Sequence, residues 1–126
     1  MILDSNIIIY SAKPEYIRLT RYLQANQEIV RVSLISTLEV LGFSRLSVTD
    51  KQIFEAYLNS VHILPITEAV ITEAIRLRQQ RKRSVGDAII AATALIHNQP
   101  VLTNNPADFA DIAGLQVIAL AEILNA

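Results

Sequence analysis

The chain contains no cysteine. That excludes disulfides, thiol nucleophiles and thiolate metal sites, and it fits a reducing compartment. Low-complexity tracts, internal repeats and linkers are also missing, while 52% of the 126 residues are apolar. Such a chain is not disordered, and it reads as one domain, residues 1–126, with enough length for a sizeable core. No stretch reaches the roughly 18 uninterrupted apolar residues of a membrane-spanning helix. The first expected strand begins at Ile2, which leaves no length for a signal peptide. The expectation is a cytoplasmic protein with no membrane partner. The two histidines, His62 and His97, have no partner at ligand spacing, so both are expected to be structural or solvent-facing.

An excess of one charge sign is absent as well: the net charge is −1, which argues neither for nor against a polyanionic partner. The distribution is less even. Five of the eleven basic residues (Arg76, Arg78, Arg81, Lys82 and Arg83) fall within "RLRQQRKR". A solvated helix face running into a loop is the plain reading of such a run, and an anion-binding edge is the sharper one.

Strand and helix patterns alternate along the sequence. "ILDSNIIIY" (2–10) reads as a first strand, followed by a helix from Pro14 to about Ala25. "EIVRV" (28–32) is a short strand, and Ser33 is placed to cap the helix "LISTLEVLGFSRL". "TDKQIFEAYLNS" opens on a Thr-Asp cap, and "VHILPI" (61–66) is a strand closed by Pro65. Thr67 caps a helix in which Val70, Ile71, Ala74, Ile75 and Leu77 make one apolar stripe. "SVGDAIIAATALIHN" has the small inner face of a helix lying close to a sheet. Strands at 100–103 and 115–120 and a last helical turn, "AEILN", complete the chain. The expected fold is α/β, a three-layer α/β/α sandwich with a mainly parallel central sheet and a site at the carboxyl ends of its strands.

Four acids stand at the ends of apolar runs or inside them: Asp4, Glu39, Asp87 and Asp108. Ser36-x-x-Glu39, Ser84-x-x-Asp87 and Asn105-Pro-Ala-Asp108 each fit a capping box. For Glu39 that reading is weaker, because Ser33 is the better cap. For Asp4 no capping reading works, since the residues after it are strand-forming. Carboxylates brought together repel, and a divalent cation relieves them. All-oxygen ligands without Cys or spaced His favour Mg²⁺ or Mn²⁺ over zinc. A carboxylate-held ion of this kind suits phosphodiester hydrolysis.

"LDSNIIIY", "STLEVLGFSRL", "SVGDAIIAATAL" and "VLTNNPADF" together resemble the ordered motifs of the PIN-domain family, closest to VapC-type toxins of bacterial type II toxin–antitoxin modules. The similarity runs from Ile2 to about Leu120. It implies a metal-dependent endoribonuclease whose catalytic, metal-holding acids are Asp4, Glu39 and Asp87. For the fourth acid, many members carry Asp where this chain has Asn105, and others have an acid at the position of Asp108. We expect Asp108 to be the functional acid and Asn105 its support. The hydroxyls of Ser5 and Thr103, together with Asn6, would line the pocket. The resemblance also implies an RNA substrate, a cognate antitoxin protein and a homodimer; on the sharper reading of the basic run, Arg78, Arg81, Lys82 and Arg83 would contact RNA or antitoxin. A PIN-type nuclease of RNA processing or repair, or a non-catalytic acidic binding module, is the alternative. A haloacid-dehalogenase-like phosphatase would need an Asp where Asn6 stands. A receiver-like module would need a Lys after the strand "PVLT", and none is there. Phe109 is expected to anchor the loop that carries Asp108, and Tyr10, Tyr16, Tyr22 and Phe54 to serve in packing.

Overall fold

In the computed structural model, which describes residues 1–126, five short strands form one sheet. They are β1 (Ile2–Leu3), β2 (Arg31–Ser33), β3 (His62–Leu64), β4 (Val101–Thr103) and β5 (Val117–Ala119). Their order is β3-β2-β1-β4-β5, and every adjacent pair is parallel. The helices are α1 (Ser5–Ser11), α2 (Ile17–Ala25), α3 (Leu34–Leu41), α4 (Val48–Ser60), α5 (Glu68–Gln80), α6 (Val85–Ile96) and α7 (Leu120–Leu124). Short 3₁₀ turns occupy Pro14–Tyr16 and Pro106–Asp108. No helix is long and apolar enough to cross a membrane.

Side chains alternate across a strand, so a sheet buried on both faces feeds two cores. Ile2, Leu64 and Val101 pack with α5, α6, Phe109 and Ile112. Met1, Leu3, Val32 and Leu102 pack on the other face with side chains from α1, α2, α4 and α7. The three-layer expectation holds. Helix α6 is the most deeply buried: Gly86 and every residue from Ala88 to Ala94 lie inside, as its run of small side chains allows. Hydroxyl caps fix the helix starts. Ser33 accepts from Ile35 N, Ser47 from Asp50 N, Thr67 from Val70 N and Ser84 from Asp87 N.

Four sequence readings need correction. The strand expected over 2–10 stops at Leu3, and Ser5–Ser11 is helix α1. The run of Ile residues favours strand by propensity, but burying Ile7 and Ile8 as one helix stripe outweighs it. Asp4 therefore is a cap: its carboxylate accepts from Ser5 N at 2.8 Å. The cap of α4 is Ser47, not the Thr-Asp pair within it. On α5, Val70, Ala74 and Leu77 are buried, whereas Ile71 and Ile75 face out at 41% and 53% exposure. His62 and His97 are both exposed, as expected.

Candidate active site

Strands β1 and β4 are neighbours, yet the chain leaves them toward opposite sides of the sheet. The carboxyl ends of such a pair open a crevice where parallel α/β folds place ligands. Here it is a cleft of about 360 Å³ lined by Asp4, Glu39, Asp87 and Asp108, together with Ser5, Asn6, Asn104 and Asn105. Four chain segments thus bring all four predicted acids to one place. Asp4 follows β1, Glu39 projects from α3, Asp87 lies in the first turn of α6, and Asp108 ends the 3₁₀ turn after β4.

Each acid has a local holder. Thr103 Oγ1 donates to Asp4 Oδ2 at 2.7 Å and accepts from Asn105 N at 3.0 Å. Ser5 Oγ donates to Glu39 Oε1 at 2.7 Å and is 2.9 Å from Ser36 Oγ. Asn105 does not cap the 3₁₀ turn through its side chain; its amide donates to Asp108 Oδ2 at 2.9 Å instead. Phe109, fully buried, pins the turn to the core, a burial that contributes about 1.5–3 kcal/mol. Of the residues expected to line the pocket, Ser5 and Asn105 do so and Asn6 stands at its exposed rim; Thr103 is buried beneath it and reaches the site only through Asp4.

The electrostatics are those of crowded carboxylates. Burial raises Asp4 above the usual carboxylate range, against the hydrogen bonds from Thr103 and Ser5, and the charges of Glu39 and Asp108 add to the rise. Asp87 is pushed up to about 6, chiefly by burial and then by the charges of Asp4 and Asp108. A hard cation would relieve that repulsion. No group of three His, Cys, Asp or Glu side chains is arranged as a ready-made metal cage. The all-oxygen donors lining the cleft are of the kind taken by Mg²⁺, which binds through one or two carboxylates and keeps several waters. Asp4 keeps lone pairs free despite its two hydrogen bonds. Gly86 adds a second sign of fit. A Cβ there would run into the Glu39 carboxylate, so the glycine lets the start of α6 approach that acid.

This charge balance predicts a pH signature. Between the unfolded value of 3.8 and the folded value of about 6 for Asp87, the native state binds more protons than the unfolded one. Stability then falls as pH rises through that window. Without divalent ions, the gap in melting temperature between Asp87→Asn and wild type should move in the variant's favour from about pH 4 to about pH 7. Thermal melts in chelator at both pH values check it; a gap independent of pH would refute it.

The PIN domain model matches residues 1–115. The chain belongs to the PIN-domain family. No curated protein matches it in sequence. Among solved structures, this PIN domain is similar to a chain of a toxin–antitoxin complex from Klebsiella pneumoniae, at 29% identity and TM-score 0.77, over 94% of this chain and 96% of that one. It shares its fold with a chain of VapBC2 from Rickettsia felis, bound there to a DNA fragment from the promoter. That match has 19% identity and TM-score 0.81, with 94% and 96% of the two chains covered. FitAcB from Neisseria gonorrhoeae has the same fold, at 24% identity and TM-score 0.78, with 95% and 97% covered.

Sequence reasoning missed four residues of the PIN domain's cleft. Ile9, Phe43 and Asn104 line it, and Gly86 makes room beside Glu39. Only Gly86 carried a signal, a glycine in the first turn of an otherwise Ala-rich helix. The basic run divides. Arg83 is buried, so it offers no surface to RNA. Arg81 is engaged with Asp111 and with the carbonyl of Asp108. Arg78 and Lys82 are exposed and rim a groove of about 660 Å³ beside α5. That groove is larger than the acidic cleft but includes none of the four acids.

Proposed function

We propose that this PIN domain is a Mg²⁺- or Mn²⁺-dependent endoribonuclease and the toxin of a type II toxin–antitoxin module. One observation carries the nuclease reading: four carboxylates from distant parts of the chain share one cleft at the β1/β4 crevice. The likeness to a toxin–antitoxin complex over nearly the whole chain supports the toxin reading. An antitoxin partner and a homodimer follow from the same kinship. Exposed Leu38, Phe43 and Val85, each more than half accessible, leave apolar surface for such contacts.

Asp4, Glu39, Asp87 and Asp108 would hold the ion or its waters. When bound, the ion supplies an activated water and offsets charge on the phosphate oxygens. The chain's own part is orientation. Thr103 holds Asp4, Ser5 holds Glu39, and Asn105 holds Asp108. Without the cation, the acids repel a phosphodiester as well as one another. Arg78 and Lys82 are the members of the basic run left to attract a polyanion.

The test is cleavage of labelled RNA and of DNA with the same purified protein. RNA should be cut with Mg²⁺ or Mn²⁺, and cutting should stop in EDTA. Undiminished cleavage in chelator would sink the metal mechanism. Cleavage of DNA alone would sink the substrate assignment, and metal binding with no cleavage would favour a binding module.

A further inference from the structure

We propose that Arg83, Arg81 and Asp111 are positioning residues that set the spacing of Asp87 and Asp108; this rests on the metal-site reading above. Arg83 Nη2 donates to Asp111 Oδ2 at 2.9 Å, and its Nε donates to Leu77 O at 3.0 Å. Arg81 Nε lies 3.2 Å from the same Asp111 oxygen, and its Nη2 donates to Asp108 O at 3.0 Å. Two loops are clamped by these contacts. One leads from α5 into α6, whose first turn carries Asp87. The other follows β4 and carries Asp108. The clamp grips each loop within a few residues of its acid.

Stability alone does not account for such a pair. The Arg83 side chain is 1% exposed, and its Nη1 is buried with no hydrogen-bond partner. An unpaired buried donor costs free energy, and buried ion pairs are often no better than apolar packing. The two loops also carry like charges, Asp87 and Asp108, into one cleft, where they repel. A cross-loop tie opposes that repulsion. Asp111 and Arg81, 40% and 42% accessible, are the exposed members where the tie can be cut; a cut at Asp111 also takes the charge partner from buried Arg83.

Mn²⁺ binding measured by isothermal titration calorimetry, without nucleic acid, tests the idea on wild type, Asp111→Asn, Asp108→Asn, the double variant and Asp4→Asn. Removing the outer support of a ligand weakens metal binding by about ten- to a hundredfold, and that is the loss expected for Asp111→Asn. Because Asp111 acts through Asp108, the double variant should bind no more weakly than Asp108→Asn. Additive losses, or unchanged binding in Asp111→Asn, would overturn the proposal. If Asp4→Asn binds as wild type does, the metal-site reading itself fails and takes this one with it. Should Asp111→Asn not fold, Arg81→Gln cuts the tie to Asp108 and leaves Arg83 paired; it should show the same coupling, and lack of coupling there refutes the clamp.

Discussion

Asp87→Asn should lose RNA cleavage by about a hundredfold or more, since altering even the support of a metal ligand costs up to that much. Its melting temperature in chelator at neutral pH should be unchanged or higher. The helix start survives because Ser84 Oγ accepts from the backbone N–H of residue 87, which any side chain retains. Removing the charge also relieves repulsion from Asp4 and Asp108. Asp4→Asn should match it in cleavage but differ in stability. An Asn amide keeps one oxygen for Ser5 N, yet presents an N–H group where Asp4 Oδ2 accepted from the Thr103 hydroxyl, so that buried O–H loses its acceptor. A mismatch of this kind costs about 1–3 kcal/mol. Cleavage assays and melts on the two variants decide it. Normal cleavage by Asp87→Asn would reduce that residue to a part of the helix start.

Gly86→Ala should be nearly as damaging to cleavage, though no polar atom changes. Two effects compete. Alanine favours the helical state by up to about 1 kcal/mol over glycine. The added methyl, however, meets the Glu39 carboxylate, and overpacking costs about 1–3 kcal/mol when nothing yields. Glu39 is exposed, so its side chain can swing aside, releasing the bond from Ser5. Stability should then change little while the acid leaves its station. The expected result is a loss of cleavage as large as that of Glu39→Gln, with a melting temperature within a few degrees of wild type. Wild-type cleavage by Gly86→Ala would show that Glu39 is free to sit elsewhere.

What the sequence revealed was set by range. Strand ends and caps are local, and the order of strand and helix patterns placed Asp4, Glu39, Asp87 and Asp108 correctly at one sheet edge. Segments 61–66, 100–103 and 115–120 each hold a strand, and the one expected over 28–32 lies at Arg31–Ser33. The Ile-rich segment after Asp4 misled because strand and helix stripes look alike in a short apolar run, and only packing against α2 and α3 selects helix. The basic run misled for a different reason. Arg83 becomes a buried clamp only because Asp111, 28 residues on, folds back to it, and no spacing rule encodes that pairing. Gly86 shows its purpose only once α3 and α6 are seen side by side.

The hydrogen bond between Thr103 and Asp4 joins residues 99 positions apart. During synthesis, then, an emerging chain holds its first acid from the outset but lacks that acid's anchor until β4 has been made and has docked beside β1. The four acids of the cleft are all present once Asp108 has been made, before β5 is added at the edge of the sheet. For a protein read as harmful to the cell that makes it, this delays danger until β4 and the turn after it are laid down, and it gives any inhibitor synthesised alongside that much time to arrive first.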